Sequence, residues 1–396
     1  VQTDILKRLD PQEVGLELKM ARQRKGLRQE DVAQTLEVAR TTIVAIEKGE
    51  RRVTGVELVK LAQLYGCQIS DFVRQRPKFD PVSVQFRGPE TLTEEDREQI
   101  DKSINELLDL ARNYVELETW LKAPLLRKYP AEYNPKGPIE LVAENIAQEE
   151  RQRLALGEGP IHNLRDVLEQ YVGLRIFYLP LPAKFSEIYL YDENSGGCIA
   201  VNAEHPWDRG RLSLAHGYLH FLAHRRATEV GMDKVEKRYL LPEEQLANAF
   251  ARFFLLPTSS LQRRFHDVKQ ATGNFTVTDL LTVAHLYGVS VEAVTRRLEE
   301  MKLLAKGTWD SLKKRSFPIR KYQGELGLKP LQETLLPQRY QILAAKAYED
   351  GLIGRGLLAS FLRLEQFEAH ELAETLLEAS EALPEEEPEL ACKEHL

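Results

Sequence analysis

Cysteine is nearly missing from this chain. There are three in 396 residues, Cys67, Cys198 and Cys392, far apart and outside any C-x-x-C spacing. An odd, scattered set argues against a disulfide framework and against a zinc site built from thiolates. Long apolar runs are missing too. No stretch of about 18 apolar residues occurs, so nothing is expected to span a membrane, and no basic-then-apolar leader is visible. A cytoplasmic protein with no membrane partner is the expectation. A glycine-rich phosphate loop is also lacking, because the glycines of GLIGRGLLAS near 351–360 do not follow a strand. What remains is 43% apolar and 29% charged residues, the composition of a soluble globular protein, at a length that suits two to four domains.

The net charge of −7 argues on its own against nucleic acid, but the charge is unevenly placed. Residues 1–80 hold 15 Lys and Arg against 12 Asp and Glu, whereas the chain after Gln366 is strongly acidic and runs through PEEEPE. The local sign near the N-terminus is the one that matters for DNA. There, residues 12–75 alternate short amphipathic segments with turn signals, which predicts five helices near 13–25, 28–36, 40–48, 55–65 and 69–74. Gly26, Gly49 and Gly66 stand where a left-handed residue closes a helix.

The words RQEDVAQTLEVARTTIVAIEKGERRVTGVELVKLAQLYG resemble the Xre/phage-repressor family of helix-turn-helix regulators. The resemblance implies that Gln29 opens the second helix and that the third, from Arg40, is the recognition helix entering the major groove. Arg40, Thr41, Thr42, Ala45 and Lys48 then lie on the polar side, with Ile43 and Ile46 turned to the core. Arg40 can pair with guanine, a Thr methyl can meet thymine, and Arg22 and Gln29 can hold phosphates. Two positions depart from the usual pattern: the tight turn has Glu37 for Gly, and the helix cap is Ala39 for Ser or Thr. The implied partner is a double-stranded DNA operator, bound by a homodimer.

Residues 76–95 are rich in Pro and charge and read as a linker with one extended piece, VSVQF. Beyond it, Ile100, Ile104, Leu107, Leu108, Leu110, Tyr114, Leu117 and Leu121 form the stripe of a long amphipathic helix, with Thr91 or Thr93 as its cap. Two further helices within 138–175 precede GLRIFYLPL, SEIYLYD and GCIAVN, which suggest a small three-stranded sheet.

The segment RLSLAHGYLHFLAH reads as one buried helix with His216 and His220 at i and i+4. That spacing stacks both imidazoles on one face, where they can bite a single metal ion. Glu244, at the start of EEQLANAFARFFLLP, offers a third ligand, and His, His and a distant Glu is the set of many catalytic zinc sites with water in fourth place. In H-E-x-x-H the acid beside the first His takes a proton from that water. Here that position is Gly217. Taken alone, H-x-x-x-H in an apolar helix also reads as a hydrogen-bonded pair of core histidines.

The context shifts that balance. Arg211 leading into Ala215-His216, then Glu244-x-x-Ala247-Asn248 and a helix ending Leu255-Leu256-Pro257, resemble the ImmA/IrrE family of zinc metallopeptidase-like domains in every element except the acid after the first His. The resemblance implies one zinc per chain on His216, His220 and Glu244, and it leaves no assigned catalytic residue. His224 and Glu243 are the nearby candidates to replace the base. A Glu at 217 is expected to be accepted without backbone change. The later GVS turn before Arg296 and Arg297 looks like a second helix-turn-helix, but a packing element is the expectation.

The whole is therefore expected to be mainly α with a small β-sheet (α+β). Its parts are a five-helix helix-turn-helix domain (1–75), a linker (76–95), a zincin-like metallopeptidase-type domain (96–305), a helical C-terminal region (306–382) and an acidic, disordered tail (383–396). Two functions compete. One is a sequence-specific regulator whose second domain is a sensor or pseudo-peptidase for a regulatory protein or small-molecule ligand. The other is an active zinc metalloendopeptidase that cleaves a regulatory protein such as a repressor.

Overall fold

Asp10 and Pro11 start the first helix: the aspartate side chain accepts from Gln12 N at 2.9 Å, and the proline stands where its missing N–H costs nothing. In the computed structural model, residues 10–66, 69, 72, 93–226, 229–232, 241–328 and 333–381 are described. Most of the expected fifth helix, nearly all of the linker with VSVQF, and the tail from 383 lie outside the described residues. The chain falls into two units, one of residues 1–78, 108–123 and 339–396, the other of 79–107 and 124–338.

In the first unit, α1 (Pro11–Arg24), α2 (Gln29–Leu36), α3 (Arg40–Glu47) and α4 (Gly55–Tyr65) follow the expected spans closely. Leu18, Val32, Ile43, Ile46, Leu58 and Leu61 fill the core between them. Gly15 is needed for this packing, since a Cβ there would fall against the carbonyl oxygens of Ile46 and Glu47. The tight turn after α2 places Glu37 at φ 58°, ψ 39°, a left-handed conformation that glycine adopts at no cost. Ala39 opens α3 without a side-chain cap, whereas Thr54 and Glu57 cap α4 reciprocally.

The helix α5 (Glu94–Trp120) begins with a second reciprocal cap, in which Asp96 N donates to Thr93 Oγ1 at 3.2 Å and Thr93 N donates to Asp96 Oδ2 at 3.1 Å. In the second unit, α6 (Ile139–Arg153) and α7 (Leu164–Val172) lead into strands β1 (Arg175–Leu179), β2 (Phe185–Asp192) and β3 (Gly196–Asn202). After α8 (Trp207–Ala223) comes a strand the sequence reading did not include, β4 (Glu229–Met232). The sheet runs β1-β3-β2-β4, with β1 parallel to β3 and the other pairs antiparallel, so Phe177 and Ile188 both pair with Ala200. Asn202 locks the end of β3 by donating to Phe185 O at 2.7 Å and accepting from Glu204 N at 3.0 Å.

Helix α8 packs on β2 and β3 on one side and on α9 (Pro242–Leu255) on another, while α9 also packs on α6. This layering buries every residue from Gly210 to Ala223 except the half-buried Leu212. Arg211 fixes the start of α8 by donating to the carbonyl oxygens of Gly288, His162 and Ile161. The chain continues through α10 (Thr258–Thr272), α11 (Val277–Tyr287), α12 (Val291–Glu300), α13 (Thr308–Lys314) and α14 (Ile319–Glu325). The GVS turn between α11 and α12 is packed, with Val289 and Val291 buried in the core of the second unit. Arg297 is buried, lies 4.4 Å from the Phe253 ring centroid and donates to Thr258 Oγ1 at 2.6 Å.

Helices α15 (Gln338–Glu349), α16 (Arg355–Leu362) and α17 (Gln366–Glu381) are the last of the described residues, and from Arg339 onward they belong to the first unit. Tyr340 meets Tyr114 edge-on at 5.2 Å, its hydroxyl donates to Phe361 O, and Arg339 pairs with Glu118 at 2.9 Å. No single helix among the described residues is long and apolar enough to cross a membrane.

Candidate metal centre and helix-turn-helix

Helix α8 carries His216 and His220 one turn apart, with ring centroids 4.9 Å from each other and both residues buried. Glu244, in the first turn of α9, faces both. Its Oε2 lies 3.3 Å from His216 Nε2 and its Oε1 lies 3.4 Å from His220 Nε2. The structure therefore brings the three expected ligands together, with one donor atom from each within 4.8 Å of the others. Burial of two imidazoles without a purpose is costly. His216 Nδ1 and His220 Nε2 are both buried at ion-pair distance from a carboxylate, Glu187 Oε1 at 2.7 Å and Glu244 Oε1 at 3.4 Å. Two imidazole nitrogens and a carboxylate converging on one point form a donor set that fits a divalent ion of the zinc type.

The outer nitrogens are held as well. His220 Nδ1 lies 3.3 Å from His224 Nδ1, and His216 Nδ1 lies 2.7 Å from Glu187 Oε1 on β2. Burial disfavours the His216 imidazolium, but the carboxylates of Glu187 and Glu244 outweigh it and hold its pKa up to about 10. Burial likewise opposes the ionised Glu244, yet hydrogen bonds from the two histidines keep it well below the ordinary carboxylate range. For His224, burial and then the neighbouring His220 press the pKa down. Of the two groups named as replacements for the base, His224 lies against the far side of the His220 ring, and Glu243 is half-buried beside Glu244.

Gly217 sits where α8 approaches the sheet. A Cβ there would come within 3.3 and 3.5 Å of the Ile199 side chain and 3.7 Å of Glu187 Cγ. A Glu at 217, expected to be accepted without backbone change, requires the Ile199 side chain to yield and would bring a second carboxylate beside Glu187. Sequence reasoning did not single out Glu187. The available signal was an acid in the middle of FSEIYLYD, whose other residues are mostly apolar or aromatic and whose burial leaves a charge in need of a partner. A cleft of about 390 Å³ between α6 and α9–α10 is lined by Glu144, Gln148, Arg151, Phe253 and Thr258 among others, and it does not include the metal-ligand trio.

In the helix-turn-helix, Arg40, Thr41 and Lys48 are exposed and Thr42 and Gln29 half-buried, while Ile43 and Ile46 are buried, as the pattern requires. Arg22 stands differently. It is buried, donates to both carboxylate oxygens of Glu47 at 2.5 and 3.0 Å, and donates to Leu27 O at 2.8 Å. Gln29 Nε2 joins the same carboxylate at 2.9 Å. The two residues named for phosphate contact thus meet at Glu47, the last residue of α3.

Residues 18–72 match a helix-turn-helix family model, and residues 169–299 match the model described as the IrrE N-terminal-like domain. The two matches stand in the order expected of a helix-turn-helix fused to an ImmA/IrrE-like domain. The second begins within α7 and takes in the whole sheet, α8 and α9, so the long helix α5 and α6 precede it. No curated protein matches the chain.

Proposed function

We propose that the protein is a sequence-specific DNA-binding regulator whose second domain holds one zinc-like ion without peptidase activity and serves as a sensor or partner-binding module. The observation that carries the second half is Gly217. In a working site an acid at that place takes the proton from the metal-bound water, a contribution of about 10² to 10⁴ in rate. The carboxylate of Glu187 is turned to Nδ1 of His216, the opposite side of the ring from Glu244. His216, His220 and Glu244 would hold the ion, which supplies Lewis acidity to whatever binds at its open position.

The competing reading, an active endopeptidase that cuts a repressor or other regulatory protein, requires a group facing the metal-bound water. Incubating zinc-loaded protein with candidate regulatory proteins and reading products by mass distinguishes the two. No cut is expected. A cut at a specific bond that disappears in His216→Ala overturns the proposal. For the DNA-binding half, the support is the helix-turn-helix match together with exposed Arg40, Thr41 and Lys48 on α3, and the operator is expected to be roughly palindromic and bound by a homodimer. A protection footprint on DNA upstream of the protein's own coding region tests this, and uniform, sequence-independent protection would contradict it.

A further inference from the structure

One buried acid outside the ligand trio reaches it directly. Glu187 sits in the middle of β2, paired across the sheet with Val201 on one side and Gly231 on the other, and its side chain is almost fully buried. Gly231 makes room for it: a Cβ there would fall on the Glu187 carboxylate, whereas a Cβ on Gly217, 3.7 Å from Glu187 Cγ, would only be in ordinary contact with it. The carboxylate then reaches His216 Nδ1 at 2.7 Å.

We infer that Glu187 is a positioning residue for the metal centre: it fixes the His216 ring with Nε2 turned to the ion, in a niche that Gly231 keeps open. The inference rests on the metal-binding reading above and deepens it. An acid beside a ligating imidazole settles which nitrogen carries the proton, sets the ring's orientation and strengthens it as a donor, and losing such a partner typically weakens metal binding about 10- to 100-fold. The site therefore keeps a carboxylate next to α8, but one that serves ion retention in place of proton transfer. His220 differs: its outer nitrogen faces His224 Nδ1 at 3.3 Å, so the two ligand rings are held by different chemistry.

The test is zinc affinity of the full chain by competition with a chromophoric chelator, for wild type, Glu187→Gln, Glu187→Ala, Gly231→Ala and the Glu187→Ala/Gly231→Ala double variant. Wild type is expected to bind tightest, Glu187→Gln less tightly because a neutral amide oxygen still accepts from Nδ1, and Glu187→Ala least, about 10- to 100-fold below wild type. Gly231→Ala pushes the carboxylate away and should weaken binding when Glu187 is present. It should add nothing when Glu187 is already alanine, a non-additivity that a general loosening of β4 would not produce. The cobalt(II) form supplies a spectroscopic check, since a reoriented His216 changes its visible absorption. Should Glu187→Ala fold poorly, the isosteric Glu187→Gln carries the test. Equal zinc affinity in wild type and both Glu187 variants overturns the inference while leaving metal binding intact. A wild-type chain that binds no zinc overturns the metal-binding reading itself.

Discussion

At His216, proton and metal compete for one buried ring. Burial alone would lower its pKa, but the two carboxylates beside it raise the value to about 10, so the metal-free site holds a proton on that histidine throughout the neutral range. A metal needs the ring neutral, so loading must expel the proton. Apparent affinity is therefore expected to rise with pH until about 10, with about one proton released per ion at pH 7.5. Calorimetry in buffers of different ionisation enthalpy measures that number, and binding without proton release would contradict the ion-paired site. Gly217 gives a second expectation. Helix propensity alone favours Glu there by up to about 1 kcal/mol. The 3.3 Å approach to Ile199 opposes it. Overpacking of this kind costs about 1 to 3 kcal/mol, so Gly217→Glu should lower the melting temperature, and adding Ile199→Val should recover part of the loss.

These residues also mark how far the sequence could be read. His216, His220 and Glu244 were legible because helical spacing converts i, i+4 into a shared face. Glu187 was not, because its partner lies on a different element and nothing in strand periodicity tells which helix covers which residue. The same blindness hid Ile199, which decides what Gly217 can become.

Within elements, the recognition helix carries two correctable weaknesses and one brace. Ala39 leaves the first turn of α3 uncapped, and Ala39→Ser should stabilise the metal-free protein by about 1 kcal/mol. Glu37 holds a left-handed backbone that Glu37→Gly relieves, for roughly another 1 kcal/mol. Chemical denaturation read on the helix-turn-helix checks both, and no gain from either would mean that the turn adjusts on its own. Both departures were visible in the sequence and stand where expected. Arg22 was read as a phosphate contact, whereas its guanidinium braces Glu47 at the end of α3. Removing one partner of a buried ion pair costs about 3 to 5 kcal/mol. Arg22→Ala should thus abolish binding to every DNA sequence by unfolding the domain. Arg40→Ala, at an exposed position, should cost about 1 to 3 kcal/mol at the operator and leave weak, salt-dependent binding nearly intact. Gel-shift titration on operator and scrambled DNA separates the two, and equal loss on both for Arg40→Ala would show that it touches only backbone. The fourth strand escaped notice because EVGM is four residues long and its pairing to β2 is set by distant sequence.

Across the whole molecule, the order of parts was readable and the grouping of the later ones was not. Composition separated a basic N-terminal region from the rest, and the two family matches fall on the expected parts. The C-terminal helices read as a region of their own, yet from Arg339 they share a unit with the helix-turn-helix and with residues 108–123. Contacts such as Tyr114 on Tyr340 produce that grouping, and aromatic pairs more than 200 residues apart leave no trace in periodicity. Everything proposed for the second domain depends on α8 and α9 forming a metal centre and not a histidine-rich core. Metal content of the purified, dialysed chain tests it most directly, measured beside His216→Ala. About one zinc-like ion per chain is predicted, falling to near zero in the variant. An equal metal content in both proteins would contradict it.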